Sequence, residues 1–356
     1  MNTIVSVSGF GWSGSGAVID FLSEYDDIEV LKYDKGDTTE MSIVCEKDGI
    51  FDLDTYLNDR CCRFQSSEAI SAFRDLVDFH VKKRGFEIIF NGKYKELSER
   101  YLNSLIEYSF EGWSYWDQRY PSKMNRRKNR YNYIINHLLR NRITSQLPFS
   151  KALEQKLSLK VCHKIEVAYQ PENFIEKTTD YLNSLFEEAR SKKDMPLVVD
   201  QFYPADRPLP FMKYLPSSKV IVVRRDPRDS YLLAKCALDY MKVPLPIDNV
   251  DDFILYYKKI VVGSKQSNSD QLLSLQFEDL IYKYEETAKI IEDFLGIKNH
   301  VRRKEAFTPE VSINNTQLME RYPQYANDIM KISAELKPFL YNYENYQYKR
   351  TTSKVF

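Results

Sequence analysis

With 356 residues, 43% of them hydrophobic, the chain is long enough to bury a substantial core. Lys plus Arg balance Asp plus Glu at 51 each, so no global charge draws it toward nucleic acid or membrane, and no nucleic-acid partner is expected. The start MNTIVSVSGF lacks a secretory signal, no run approaches the roughly 20 apolar residues that cross a bilayer, and Cys45, Cys61, Cys62, Cys162 and Cys236 suggest neither a disulfide framework nor a zinc site, so a reduced, cytoplasmic protein is expected.

The first predicted strand covers residues 3–7, and a helix follows over 16–24. Between them "SGFGWSGSG" places Gly9, Gly11 and Gly14 in the spacing G-x-G-x-x-G, while residues 9–15 also read as a P-loop whose lysine is replaced by Ser15. A strand–glycine–helix turn suits an anion: backbone N–H groups and the helix dipole point at it, and glycine lets it approach. Ser13 and Ser15 add hydroxyl donors. Without a lysine after Gly14, ordinary ATP or GTP chemistry is disfavoured. A dinucleotide needs an acid at the end of the second strand, predicted over 28–33, and Asp34 can serve.

From 66 to 190 the apolar spacing is mostly helical (Leu102, Leu105, Ile106; Tyr181, Leu182, Leu185, Phe186). Within it, residues 118–151 carry nine basic residues (Arg119, Lys123, Arg126, Arg127, Lys128, Arg130, Arg140, Arg142, Lys151) and no acid. Tyr120, Tyr131 and Tyr133 interleave, and Trp113, Tyr115 and Trp116 precede them. A solvated helix face accounts for such a run, as does contact with an anionic acceptor or with anionic lipid headgroups.

Strand-like runs return at "PLVVDQF" (196–202), "SKVIVVRR" (218–225) and "LLSLQFEDL" (272–280), with helices over 227–242 and 285–295. The expected fold is one α/β domain spanning 1–356: a P-loop-like parallel sheet flanked by helices, with a long helical insertion over 66–190. "RRDPRDS" is the most informative turn. Asp226 sits at an N-cap position and Pro227 in the first helical turn. Arg224 and Arg225 end a core strand at the carboxyl edge of the sheet, where open α/β sheets bind ligands. The arginine fork suits phosphate. An internal salt-bridge cluster of Arg225, Asp226, Arg228 and Asp229 is the plainer reading.

Taken together, "SGFGWSGSG", "VIVVRRDPRDS" and "LSLQFEDLIYKYEETAKIIEDFLGI" (274–297) resemble the PAPS-dependent sulfotransferases, of the bacterial carbohydrate type. The resemblance implies PAPS as donor, released as adenosine 3′,5′-bisphosphate, and no metal. It implies that Gly11, Trp12, Ser13, Gly14, Ser15 and Gly16 hold the 5′-phosphosulfate and that Arg225 binds the 3′-phosphate. Ser230, Arg302 and Arg303 are further donor contacts on this basis, and Glu278 with Asp279 a capping pair. Two positions depart from the pattern: Trp12 stands where the family carries a cation, and Leu233 where it carries a serine.

Sulfuryl transfer needs a base for the acceptor hydroxyl. Asp34 (with Asp37 close by), Asp200 at the end of its strand, and His163 are the candidates, while Lys32 and Lys35 can replace the cation lost at Trp12. The expected acceptor is a carbohydrate hydroxyl on a glycolipid, lipo-oligosaccharide or capsular precursor, with 118–151 touching an anionic membrane surface. An NAD-dependent oxidoreductase or a non-catalytic nucleotide-binding protein is the alternative.

Overall fold

The computed structural model describes residues 3–32, 39–60, 65–112, 123–142, 157, 159, 163–192, 194–237, 245–262 and 267–347. In chain order the strands are β1 (Ile4–Gly9), β2 (Glu29–Val30), β3 (Tyr108–Gly112), β4 (His163–Val167), β5 (Leu197–Asp200), β6 (Lys219–Arg224) and β7 (Leu272–Gln276). The main helices are α1 (Ser15–Leu22), α2 (Gln65–Phe79), α3 (Tyr94–Leu105), α4 (Lys123–Arg142), α5 (Phe174–Ala189), α6 (Pro227–Leu232), α7 (Val250–Tyr256), α8 (Phe277–Tyr282), α9 (Tyr284–Leu295) and α10 (Ala326–Glu335).

Five strands form one parallel sheet in the order β2-β5-β1-β6-β7. Both of its faces are covered, which is why its strands read as apolar runs rather than alternating ones. Ile4, Leu197, Val199, Val220 and Val222 pack beneath the helices of the middle segment. Their neighbours Val5, Val7, Val198, Ile221 and Val223 point the other way, toward α1, α8 and α9. The two serines inside β1 are buried, and their hydroxyls are satisfied: Ser6 Oγ and Ser8 Oγ lie 2.9 Å apart, and Ser8 donates to Tyr203 O at 2.8 Å.

Register decides what meets at the carboxyl edge. Val7 lies opposite Asp200, Gly9 opposite Val223, and Arg224 opposite Gln276. The glycine loop, the end of β5, the arginine turn and the start of α8 therefore leave the sheet side by side. After residues 33–38, which lie outside the described set, the chain returns to this edge. There Glu40 bridges Asp200, and Met41 N donates to Asp200 O at 2.8 Å.

Several expected boundaries shift. The run predicted as a strand over 272–280 is strand only to Gln276; Phe277 opens a helix, because Glu278 turns inward to bond Asp226 N at 2.9 Å. The helix expected over 227–242 is α-helical to Leu232 and widens over Leu233–Ala237, and residues 238–242 lie outside the described residues. Among its described residues the middle segment is mostly helical, but β3 and β4 add an antiparallel pair that the helical spacing hid.

Candidate functional site

A cleft of about 670 Å³ opens at the carboxyl edge, and both sequence motifs line it. Gly11, Gly14, Ser15 and Gly16 come from the first loop and Arg225 from the second. Gly14 holds φ at +93° as the N-cap of α1, where no side chain caps the helix. The first-turn N–H groups of α1 thus have no intrahelical acceptor, the arrangement that receives an anion. Gly14 is also required for space: a Cβ there would sit 2.3 Å from Phe277 Cδ2. The hydroxyls of the loop divide. Ser15 lines the cleft, where its Oγ accepts from Gln201 Nε2 at 3.4 Å. Ser13 turns inward instead, accepting from Phe10 N at 3.1 Å, and with Ser230 it borders a small cavity behind the loop. The inward turn makes Ser13 a brace of the loop rather than a group facing the cleft.

Arg225 is 3% exposed, and its partners are carbonyls. Nη1 donates to Trp12 O at 3.1 Å, Nη2 donates to Asn315 O, and the guanidinium lies over the Phe277 ring at 4.9 Å. Among the described residues it makes no ion pair. The salt-bridge cluster contains Arg228 instead, which pairs with Asp226 at 2.6 Å. Arg225 Nε and Asn315 Oδ1 are buried without a hydrogen-bond partner, and both residues line the cleft. An orphaned donor on the buried cation and an orphaned acceptor on its neighbour Asn315 sit beside the cleft, where a polar ligand can complete them.

Two consecutive tyrosines fasten both motifs. Tyr256 OH donates to Phe10 O and Tyr257 OH to Arg225 O, each at 3.2 Å. Behind the arginine turn lies a buried acidic layer. Asp226 caps α6 by accepting from Arg228 N at 2.8 Å. Asp229 accepts from Leu318 N, Gln317 N and Tyr343 OH. These bonds fix the segment that carries Asn315. Glu278 was expected to cap its own helix with Asp279; its Oε1 instead holds Asp226 N, and Oε2 has no partner. Burial, then the charges of Asp226 and Asp229, pushes the Glu278 carboxyl up to about 8 despite the opposing Arg225. Burial and Asp226 likewise raise Asp229 to about 6.

Carboxylates gather on the far wall. Asp200 lines the cleft, as do Glu40, which the sequence did not single out, and Asp20 on α1. Burial raises the Asp20 carboxyl, while the charge of Lys32 lowers it, so Lys32 lies within electrostatic reach of this wall. Leu233 lines the cleft at the position where a serine was expected from the resemblance. Trp12 also lines it, at φ 56°, and presents its carbonyl to Arg225.

Other candidates fall elsewhere. Asp34, Lys35 and Asp37 lie outside the described residues, as do Trp113, Tyr115, Trp116, Arg119, Tyr120 and Lys151. His163 opens β4 opposite Gly112 in the small second sheet. Arg302 and Arg303 do not line it either: Arg302 Nη2 donates to Ser23 O, and Arg303 pairs with Glu285. The reason is Glu24. Fully buried, it accepts from His300 Nε2 at 2.6 Å, Ala306 N at 3.0 Å and Phe307 N at 2.9 Å. This anchor holds residues 300–304 against the C-terminal end of α1 and brings Phe307 and Thr308 to the cleft.

Comparison with known proteins agrees with the motifs. Residues 140–300 match the model of the Sulfotransferase family, a span that holds β5, β6, the arginine turn and α7 to α9. The match bears out the resemblance to sulfotransferases; the glycine loop lies N-terminal to it. Among solved structures the chain is similar to the sulfotransferase domain from the Synechococcus PCC 7002 olefin synthase. Identity there is 12%, the TM-score 0.36, and the match covers 86% of this chain and 77% of that one. It is similar too to the sulfotransferase domain from the curacin biosynthetic pathway, with 12% identity, a TM-score of 0.35 and coverage of 86% and 78%. A third is the sulfotransferase STF1 from Mycobacterium tuberculosis H37Rv, with 13% identity, a TM-score of 0.33 and coverage of 86% and 71%. No curated protein matches.

Proposed function

We propose that the sulfotransferase match over residues 140–300 extends to the activity itself, and that the chain moves a sulfuryl group from PAPS to a hydroxyl of a carbohydrate acceptor. One observation carries this reading. Two turns more than 200 positions apart in the chain border one cleft and are joined by the bond from Arg225 to Trp12 O. The cleft's size suits a nucleotide, since small-molecule sites span roughly 300–1,000 Å³.

In this reading the first-turn N–H groups of α1 and the Ser15 hydroxyl hold the 5′-phosphosulfate. Arg225 holds the 3′-phosphate with its Nε and charge, backed by Phe277. Asn315 Oδ1 is an acceptor for a donor N–H of the nucleotide. The donor supplies the sulfur electrophile and a phosphate leaving group. The acceptor oxygen forms the new S–O bond as the bond from sulfur to the 5′-phosphate breaks. The hydroxyl proton passes to Asp200 or Glu40, which pair in an isolated β-bridge beside the cleft. Asp34 remains a candidate for the same role. Lys32 is the cation that offsets the charge left on the 5′-phosphate, in place of the one absent at Trp12. The whole chain acts as one sulfotransferase-like unit, with 66–190 shaping the acceptor site, in the cytoplasm. A glycolipid, lipo-oligosaccharide or capsular precursor is the acceptor class.

The dinucleotide alternative gives Arg225 no role. Incubation with PAPS and a panel of carbohydrate acceptors tests the reading. Acceptor-dependent release of adenosine 3′,5′-bisphosphate, abolished in Arg225→Ala, is the expected result. No release with any hydroxyl acceptor overturns it.

A further inference from the structure

We propose that α4 is a docking face for an anionic lipid surface. The proposal stands apart from the reading of the cleft. Residues 123–142 contain seven Lys or Arg and no Asp or Glu, in a chain whose formal net charge is zero. Charge is therefore segregated onto this element.

The helix sorts its residues by side. At about 100° per residue, Arg126, Arg127, Arg130, Ile134 and His137 fall within an arc of about 100°. All five are exposed. On the opposite side Lys128, Asn132 and Ile135 are half-buried. Asn132 holds that side down, donating to Leu159 O at 2.8 Å and accepting from Leu159 N at 2.7 Å. The cationic stripe faces solvent, and the opposite side bonds Leu159.

The stripe runs about 17 Å along the helix. Tyr131 and Tyr133, 41% and 71% exposed, flank it on either side, and Ile134 lies within it at 47%. A soluble polyanion would be held by the cations alone. Tyrosines beside a basic stripe, with an aliphatic side chain between the arginines, suit the headgroup boundary of a bilayer. There the phosphates take the arginines, and the aromatic and aliphatic groups enter the interface. Among the described residues no helix is long and apolar enough to cross a membrane, so the contact is peripheral.

Co-sedimentation of the full chain with vesicles tests this. Vesicles of about 30% phosphatidylserine in phosphatidylcholine are expected to bind it at about 0.1 M salt, and phosphatidylcholine alone is not. Arg126→Gln/Arg127→Gln/Arg130→Gln is expected to weaken binding about a hundredfold, whereas the matching triple Lys variant retains it. Tyr133→Ser/Ile134→Ser is expected to weaken vesicle binding while leaving retention on a polyphosphate resin unchanged. No preference for the anionic vesicles overturns the proposal. So does a double Ser variant that sediments like the unmodified chain, which would assign the stripe to a soluble polyanion.

Discussion

Replacing Gly14 by alanine tests whether the glycine loop and the arginine turn are one mechanical unit. Gly14 sits at φ +93°, a conformation that costs an L-residue about 1–2 kcal/mol. The new methyl would also lie 2.3 Å from Phe277 Cδ2 and 2.7 Å from Cγ, so the ring must move. Overpacking of that kind costs about 1–3 kcal/mol. Together they predict a loss of about 2–5 kcal/mol in unfolding free energy, read from urea denaturation. The ring that moves is the one beneath Arg225, so affinity for adenosine 3′,5′-bisphosphate falls as well, by about tenfold or more. Phe277→Ala in the same background removes the clash and leaves the backbone strain. The double variant is thus more stable than the sum of the singles predicts, by about 1–3 kcal/mol. A Gly14→Ala protein as stable as the parent, or strict additivity with Phe277→Ala, would refute the reasoning.

Glu278 predicts a pH dependence. Its carboxyl is raised to about 8 in the fold, so between its ordinary value near 4.5 and pH 8 the folded state keeps a proton that the unfolded state loses. Stability attributable to it is present at low pH and declines as pH rises through this window, by roughly 1 kcal/mol per unit. Glu278→Gln is neutral at every pH, and unfolding curves from pH 5.5 to 8.5 should show a shallower decline than the parent; parallel curves would count against the assignment. For the base, Asp200→Asn or Glu40→Gln lowers turnover by about 10²–10⁴ while donor affinity holds. Turnover unchanged in both removes these two carboxylates. Glu24→Ala leaves the Ala306 and Phe307 N–H groups unpaired, at about 2–5 kcal/mol in thermal unfolding, and raises KM for the donor. Glu24→Gln keeps an acceptor for them and is milder. Equal KM values for parent and Glu24→Ala would mean that the anchor does not shape the cleft.

Much of the site was legible because its signals are local. The glycine spacing, the Asp226–Pro227 helix start and the apolar runs each follow from a few neighbouring residues. Parallel pairing then brings their ends to one edge. What escaped depends on contacts between distant segments. Glu40 reaches the cleft only because the chain returns to pair with Asp200. Asn315 and the Tyr256–Tyr257 pair matter through bonds to loops far away in sequence. Ser13 and Ser15 look alike as letters, and the left-handed turns at Trp12 and Gly14 decide which hydroxyl faces the cleft. Arg302 and Arg303 sit where the motif order suggested a donor contact, yet the buried Glu24 anchor draws their segment toward the end of α1. The β3–β4 pair is short and its β3 residues are mostly exposed, so no apolar pattern announced it.

Calorimetric titration of the chain with adenosine 3′,5′-bisphosphate, alongside ATP and NAD, measures most directly whether the two turns grip opposite ends of one nucleotide. The bisphosphate is expected to bind at about 1–100 μM, and Arg225→Ala to weaken it about a hundredfold through loss of a charge-assisted pair. Heat from NAD with none from the bisphosphate, or an Arg225→Ala protein that binds the bisphosphate as the parent does, would contradict the account.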